Sequence, residues 1–177
     1  DARRSVHLQL ALRLHDQFGE EDAEAVFRIA DHLDQAAPLD DATTRALSAR
    51  VHEAAGRRAL ASAAFAPAHA LLERSLALAA PDAWEVDHPR MVETSTEAAR
   101  AAYLAGDGPR MTHHIASVLA HSVDVLERAQ VSTIDVQAAV SRGDLADAIE
   151  IALGILGTLD IHLPSEPTEA EVGAGLQ

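Results

Sequence analysis

The sequence contains no cysteine, lysine or asparagine, and only 3% of its 177 residues are aromatic. The absence of cysteine excludes disulfide bonds, thiolate nucleophiles and cysteine-ligated zinc, and is typical of a reducing cytoplasm. The absence of lysine excludes the phosphate-binding pattern GxxxxGK[ST]. With so few aromatic residues, a core must be built from Ala, Leu, Val and Ile, and small side chains of this kind suit closely packed helices.

Acidic residues outnumber basic ones by 28 to 14, which gives a formal net charge of −14. Nucleic acids and anionic membrane surfaces bind basic surfaces, so this charge predicts neither as a partner. No apolar run approaches the roughly 20 residues needed to span a bilayer, and no signal peptide opens the sequence. We therefore expect a cytoplasmic protein and, because the sequence begins at Asp1 rather than at Met, a piece of a longer one.

Apolar residues recur at intervals of three and four along the whole sequence, as in "VHLQLALRLHDQF" (residues 6–18) and "AVFRIADHL" (25–33). This spacing is typical of amphipathic helices. Alternating β-branched runs are almost absent, and "VSTIDVQAAV" (131–140) continues into a helical pattern. The sequence therefore predicts an all-α fold.

The helical pattern repeats. When the second helices of the candidate pairs are aligned, one column of mostly small residues has members 43, 43 and 37 residues apart, and an apolar residue follows each member four and eight positions later. The column consists of Ala25, Ala68, Met111 and Ala148, and three members have an alanine nine residues earlier: Ala59, Ala102 and Ala139. Gly106-Asp107 and Gly143-Asp144 occupy equivalent turns. Each unit is therefore expected to be a helix, a tight turn and a second helix.

This column resembles the tetratricopeptide repeat (TPR), most closely in "AAFAPAHALLERSLALAAPD" (63–82) and "GDLADAIEIALGIL" (143–156). The spacings exceed the usual 34 residues, and Gly108 stands where that family has an aromatic residue. The resemblance implies a right-handed superhelix, or solenoid, of antiparallel helix pairs over residues 1–162. The expected pairs are 3–36, 42–80, 88–121 and 124–157. Residues 163–177 are expected to form a Pro-containing loop and the truncated start of another helix, at the capping box "TEAE" (168–171).

The sequence as a whole is similar to the helical-repeat region of large bacterial signalling proteins. The most characteristic stretches are "DAWE" (82–85) and "LGTLDIHLPSEPTEAEV" (156–172). In these proteins an AAA-type (STAND) ATPase module precedes TPR-like helices and a sensor, kinase or DNA-binding output domain follows. The resemblance implies a non-catalytic interaction or regulatory module of a signal-transducing or transcription-regulating ATPase.

The residues give little sign of catalysis. The ten histidines form no HExxH pattern, and His114 and His121, seven residues apart on one helical face, make at most half of a metal site. Serines lack GxSxG and SxxK contexts. The acidic stretch "GEEDAEA" (19–25) suits a helix N-terminus better than a cation loop. We therefore expect no catalytic residue, no metal and no cofactor.

The surface expected to carry function is the concave face lined by the first helices of the pairs. Its exposed members are predicted to be Arg45, His52, Arg90, Glu93, Glu97, Arg100, Asp135 and Gln137. The partner would be a protein, a peptide or another domain of the same polypeptide. Two alternatives stay open: a sensor that binds a small effector in the groove, and an all-α enzyme that uses a His-carboxylate pair.

Overall fold

The structure, a computed structural model, describes residues 2–163 and is helical along most of this range, with no strand in it. The all-α prediction is therefore confirmed for the described residues. The predicted closing loop from residue 164 onward and the capping box at 168–171 lie outside them. The helices are α1 (Ala2–Phe18), α2 (Ala25–Ala36), α3 (Ala42–Ala61), α4 (Phe65–Ala77), α5 (Ala83–Val86), α6 (His88–Leu104), α7 (Gly108–His121), α8 (Val125–Arg142) and α9 (Leu145–Thr158).

The described residues form two compact units, one that ends at His114 and one that begins at Ile115. In the first unit α1 packs on α2, α2 on α3, α3 on α4 and α4 on α6, while α3 also touches α6. In the second unit α8 packs on α9. Within the part of the chain that the structure describes, no helix is long and apolar enough to cross a membrane. Whether the helix pairs form one right-handed superhelix stays a prediction.

Three of the connecting turns have the same backbone hydrogen bonds. The amides of Ala64, Asp107 and Asp144 donate to the carbonyls of Ala59, Ala102 and Ala139, at 2.9, 2.9 and 3.0 Å. These carbonyls belong to the alanines aligned from the sequence, and each bond is the six-residue closure of a Schellman motif.

The residue before each of these amides has a positive φ: 80° at Gly106 and Gly143, and 60° at Ala63. Glycine adopts this left-handed conformation without the steric cost that a Cβ brings. The aspartates of the Gly-Asp turns then cap the following helices. Asp107 accepts from the amide of Arg110 and Asp144 from that of Asp147. The interpretation of the two Gly-Asp pairs as equivalent turns is therefore confirmed, and the structure adds a capping role for each aspartate.

Small residues allow the helices of the first unit to approach closely. The column residues Ala25, Ala68 and Met111 of this unit are buried, as is Ala148 in the second unit. The closest approach is at Gly56 of α3, where an added Cβ would lie 2.7 Å from Cγ of Leu72 on α4. Around it the apolar core of this unit is built from Val26, Ile29, Leu33, Val51 and Leu72.

Candidate functional site

A group of charged side chains spans α3 and α6, the first helices of two successive pairs. Glu53 and Arg57 are one turn apart on α3, and Glu93 and Glu97 are one turn apart on α6, so each pair shares a helical face. Arg90 lies nearly one turn before Glu93. The five side chains form a continuous set of ion pairs, which we call the α3/α6 network.

Arg57 is at the centre of the α3/α6 network. Its Nε–H donates to Glu97 Oε2 at 2.7 Å, and its Nη2 lies 2.9 Å from Glu93 Oε2 and 3.1 Å from Glu53 Oε1. Burial lowers the pKa of Arg57, but the hydrogen bond to Glu97 and the surrounding carboxylates outweigh it and raise the pKa above its ordinary value. Arg57 is therefore a permanent cation held by three carboxylates.

Two of those carboxylates are withdrawn from water. Glu53 is only 8% exposed, and its second oxygen accepts from Arg90 Nε at 2.6 Å, so it lies between two guanidinium groups. Burial raises the pKa of Glu97, and the bond from Arg57 offsets only part of this effect. Removing either arginine would leave a poorly solvated carboxylate short of a partner, which is costly.

Beside the α3/α6 network the first unit has an open groove of about 460 Å³. Charged side chains of both signs form most of its walls, and alanines are its only apolar lining. The lining residues are Glu20, Glu21, Arg50, Glu53, Ala54, Arg57, Arg58, Ala61 and Arg90. Two hydrogen bonds join the loop between α1 and α2 to α3: Arg50 donates to Glu20 at 3.2 Å, and Arg58 donates to the carbonyl of Glu21. We call this feature the charged groove.

The structure brings together three of the predicted surface residues, Arg90, Glu93 and Glu97. Arg45 is exposed at the start of α3, where its Nη1 donates to the carbonyls of Leu39 and Asp40. The remaining exposed or half-buried members lie on α6 and, in the second unit, on α8: Arg100, Asp135 and Gln137.

His52 is a correction, because it is fully buried instead of exposed. Its Nδ1–H donates to the carbonyl of Ser48 at 2.7 Å, and its Nε2 lies 3.2 Å from Asp34 Oδ2 on α2. The contact with His52 holds the pKa of Asp34 below its ordinary value. From sequence, the polarity of His52 suggested an outward position, whereas in the fold its ring is buried with one hydrogen bond, from Nδ1 to Ser48, while Nε2 lies near Asp34 without a hydrogen bond of good geometry.

Sequence reasoning missed Arg57 and Glu53, the residues that hold the α3/α6 network together. Their spacing of four residues on one helix was the available signal, since such pairs attract each other on a helical face. The other partners of Arg57 lie on α6, and its partner Glu97 is 40 positions away in sequence. Local spacing does not reveal contacts of that kind.

A second polar cluster lies between α4 and the start of α7, within the first unit. His69 and Glu73 are one turn apart on α4, and His114 of α7 faces them. The Nε2 atoms of His69 and His114 are 3.3 Å apart, and each lies 3.8 Å from Glu73 Oε1. The structure thus pairs His114 with His69, a residue that the sequence did not single out.

Both histidines of this cluster are buried, with 9% of His69 and 5% of His114 exposed. Burial, together with the nearby His69, His113 and Arg110, lowers the pKa of His114 to about 4. His114 is therefore neutral at pH 7. Arg110 donates to Glu73 Oε1 from the exposed side of the cluster.

Comparisons with models of known protein families, with curated proteins and with solved structures found no significant match to this chain.

Proposed function

We propose that this chain is a non-catalytic protein-interaction module, and that the charged groove beside α3 and α6 binds a peptide or protein segment. The proposal includes a TPR-like stacking of the helix pairs and a place within a larger bacterial signalling ATPase, as the sequence resemblance implies. The observation that carries it is the groove itself, formed where first helices of successive pairs meet. Helical-repeat solenoids use this surface for binding.

The chemistry of the groove favours a polypeptide over a small molecule. Pockets for small ligands are mostly apolar and enclose the ligand, with a few polar groups that orient it. Here the only apolar lining is Ala54 and Ala61, and the groove is open to solvent. A peptide backbone offers both donors and acceptors along its length, which match a wall that alternates carboxylates and guanidiniums.

The exposed arginines of the groove indicate which residues the bound segment should contain. Arg50 and Arg57 have 51% and 35% of their side chains exposed, so these cations stay within reach of an incoming group. Carboxylates of the partner could exchange with Glu20 or Glu93, because each of these ion pairs has one exposed member, Arg50 or Glu93, and ion pairs open to solvent are weak. We therefore expect acidic and polar residues in the bound segment, and affinity that falls as salt rises.

The test is selection of linear peptides from a random phage-displayed library on the purified chain, followed by affinity measurements by fluorescence anisotropy. Ala61→Trp would fill the groove without removing an ion pair. Ala70→Trp is the matched control, because Ala70 is exposed on α4 and does not line the groove. We expect at least tenfold weaker binding for Ala61→Trp and unchanged binding for Ala70→Trp. Equal affinities for both variants, or no selected peptide, would contradict the proposal.

One observation favours the alternative of a small effector. A depression of about 410 Å³ near the start of α3 has an apolar floor that includes Leu78, Pro81 and Val86, and its rim carries Arg45, Arg50 and Arg90. Its size is within the range of ligand pockets. Under this alternative a thermal-shift screen of organic anions would give a hit that Arg45→Gln abolishes, whereas a screen without hits would contradict it.

A further inference from the structure

The cluster of His69, Glu73 and His114 lies apart from the charged groove, and the proposed function does not use it. All three residues present a ligand-type atom to one point: the Nε2 atoms of the two histidines and an oxygen of Glu73. These atoms lie within 4.8 Å of one another. The cluster joins two helices, since α4 supplies two of the side chains and α7 the third.

The distances agree with tetrahedral coordination. Zinc binds histidine nitrogen at about 2.0 to 2.1 Å, which places two nitrogens of a tetrahedral site about 3.4 Å apart. His69 Nε2 and His114 Nε2 are 3.3 Å apart. Glu73 Oε1 lies 3.8 Å from each nitrogen. A shift of about half an ångström would bring this oxygen to bonding distance, and Glu73 is long enough to make it by rotating its side chain.

The burial of the two rings also favours a bound cation. A ring nitrogen out of water needs a partner, because burying an unpaired polar group costs free energy. Without a cation, one Nε2–H must donate to the lone pair of the other ring, over a distance that is long for a hydrogen bond. A divalent cation would accept both lone pairs at once, and the carboxylate of Glu73 would offset part of its charge.

Arg110 is the only cation that the described residues place on Glu73. Its side chain is 55% exposed, so it can move to the second carboxylate oxygen when Oε1 is taken by a metal. Arg110 therefore competes with a metal for this carboxylate but does not block the approach to it.

We propose that His69, Glu73 and His114 bind one zinc ion as a two-histidine, one-carboxylate site that links α4 to α7. Three protein ligands leave a fourth position for water. The bound ion would link the start of α7 to α4 and stabilise the first unit, because a ligand that binds only the folded state raises the free energy of unfolding.

The test is titration of the tag-free, EDTA-treated chain with Zn²⁺, followed by isothermal titration calorimetry. We expect one ion per chain, and at least a tenfold loss of affinity in His69→Gln, Glu73→Gln and His114→Gln. His113→Gln is the matched control, since His113 neighbours His114 on the same helix but is exposed. Arg110→Gln should bind Zn²⁺ more tightly because it removes the competing cation.

A second measurement uses only the wild-type chain, so a variant that fails to fold cannot affect it. Addition of Zn²⁺ to the wild-type chain should shift the ring ¹⁵N signals of His69 and His114 in NMR spectra and leave those of His113 in place. Addition of Co²⁺ should give the intense visible absorption of a tetrahedral site. Absence of stoichiometric zinc binding, shifts confined to other histidines, or affinity lost equally in His113→Gln would overturn the proposal, as would weaker binding by Arg110→Gln.

Discussion

Replacement of Gly56 by alanine should destabilise the chain, although alanine is the better helix former. The added Cβ would lie 2.7 and 2.9 Å from Cγ and Cδ2 of Leu72, and 3.2 Å from its backbone nitrogen. Carbon atoms in favourable contact are about 3.5 to 4.0 Å apart. Leu72 is fully buried, so it cannot swing away, and the backbone contact requires α3 and α4 to separate.

The magnitude follows from two opposing terms. Overpacking of a buried contact costs about 1 to 3 kcal/mol, and the backbone clash places this case in the upper part of that range. Gain in helix propensity returns about 1 kcal/mol. The net loss should be about 1 to 2 kcal/mol, which lowers the melting temperature of a protein of this size by about 2 to 8 °C.

The control is the same substitution at Gly154 in α9, where an added Cβ would meet no atom within 4 Å. Only the propensity term applies there, so Gly154→Ala should stabilise by about 1 kcal/mol. Urea unfolding would be followed by far-ultraviolet circular dichroism and by the fluorescence of Trp84, the only tryptophan, which reports on the first unit. Gly56→Ala at least as stable as wild type would refute the close packing of α3 on α4.

Three further predictions concern the turn at Ala63, the ion pairs of Arg57 and the burial of His114. Ala63→Gly should stabilise the chain by about 0.5 to 1 kcal/mol in urea unfolding, because Ala63 has a φ of 60°, which glycine adopts without the steric cost of a Cβ. A loss of stability would contradict the left-handed conformation of residue 63. Arg57→Met should cost about 1 to 3 kcal/mol, because it removes the cation that pairs with Glu97 and leaves Glu53 with Arg90 alone. Glu93→Gln, at an exposed end of the network, should cost under about 1 kcal/mol, and similar costs for both variants would argue against a buried centre. In metal-free protein, the free energy of unfolding should fall by up to about 3 kcal/mol as the pH drops from 6.5 towards 4. The reason is that His114 takes up a proton in the unfolded chain, whereas in the folded chain its pKa is about 4 and it stays neutral over most of this range. His114→Gln should make the free energy of unfolding depend less on pH.

The local features of the fold could be predicted from sequence, because helical periodicity and turn chemistry depend on neighbouring residues. The Gly-Asp turns at 106–107 and 143–144 are examples: their place between helices was predicted, and the structure shows glycines with positive φ and capping aspartates there. The left-handed conformation of Ala63 could not be predicted from its residue type. It follows from its place in the same turn, which the alignment of Ala59 with Ala102 and Ala139 indicated.

The long-range contacts of both candidate sites could not be predicted. His69 and His114 are 45 positions apart, and Arg57 and Glu97 are 40 apart, so neither pair has a local signature. Their contact is set by the angle and offset with which helices pack, and this depends on the whole buried surface. His52 shows the same limit, because it is buried where α3 packs on its neighbours and its polar neighbour Asp34 lies on another helix.

We propose above that the charged groove beside α3 and α6 binds a polypeptide. The most direct test is ¹H–¹⁵N NMR of the chain titrated with a selected peptide, with the shifted amides mapped onto the helices. Binding in the groove predicts shifts that concentrate on α3, the start of α6 and the loop at Glu20 and Glu21. Shifts confined to α2 or the outer face of α4, or no shifts at saturating peptide, would contradict it.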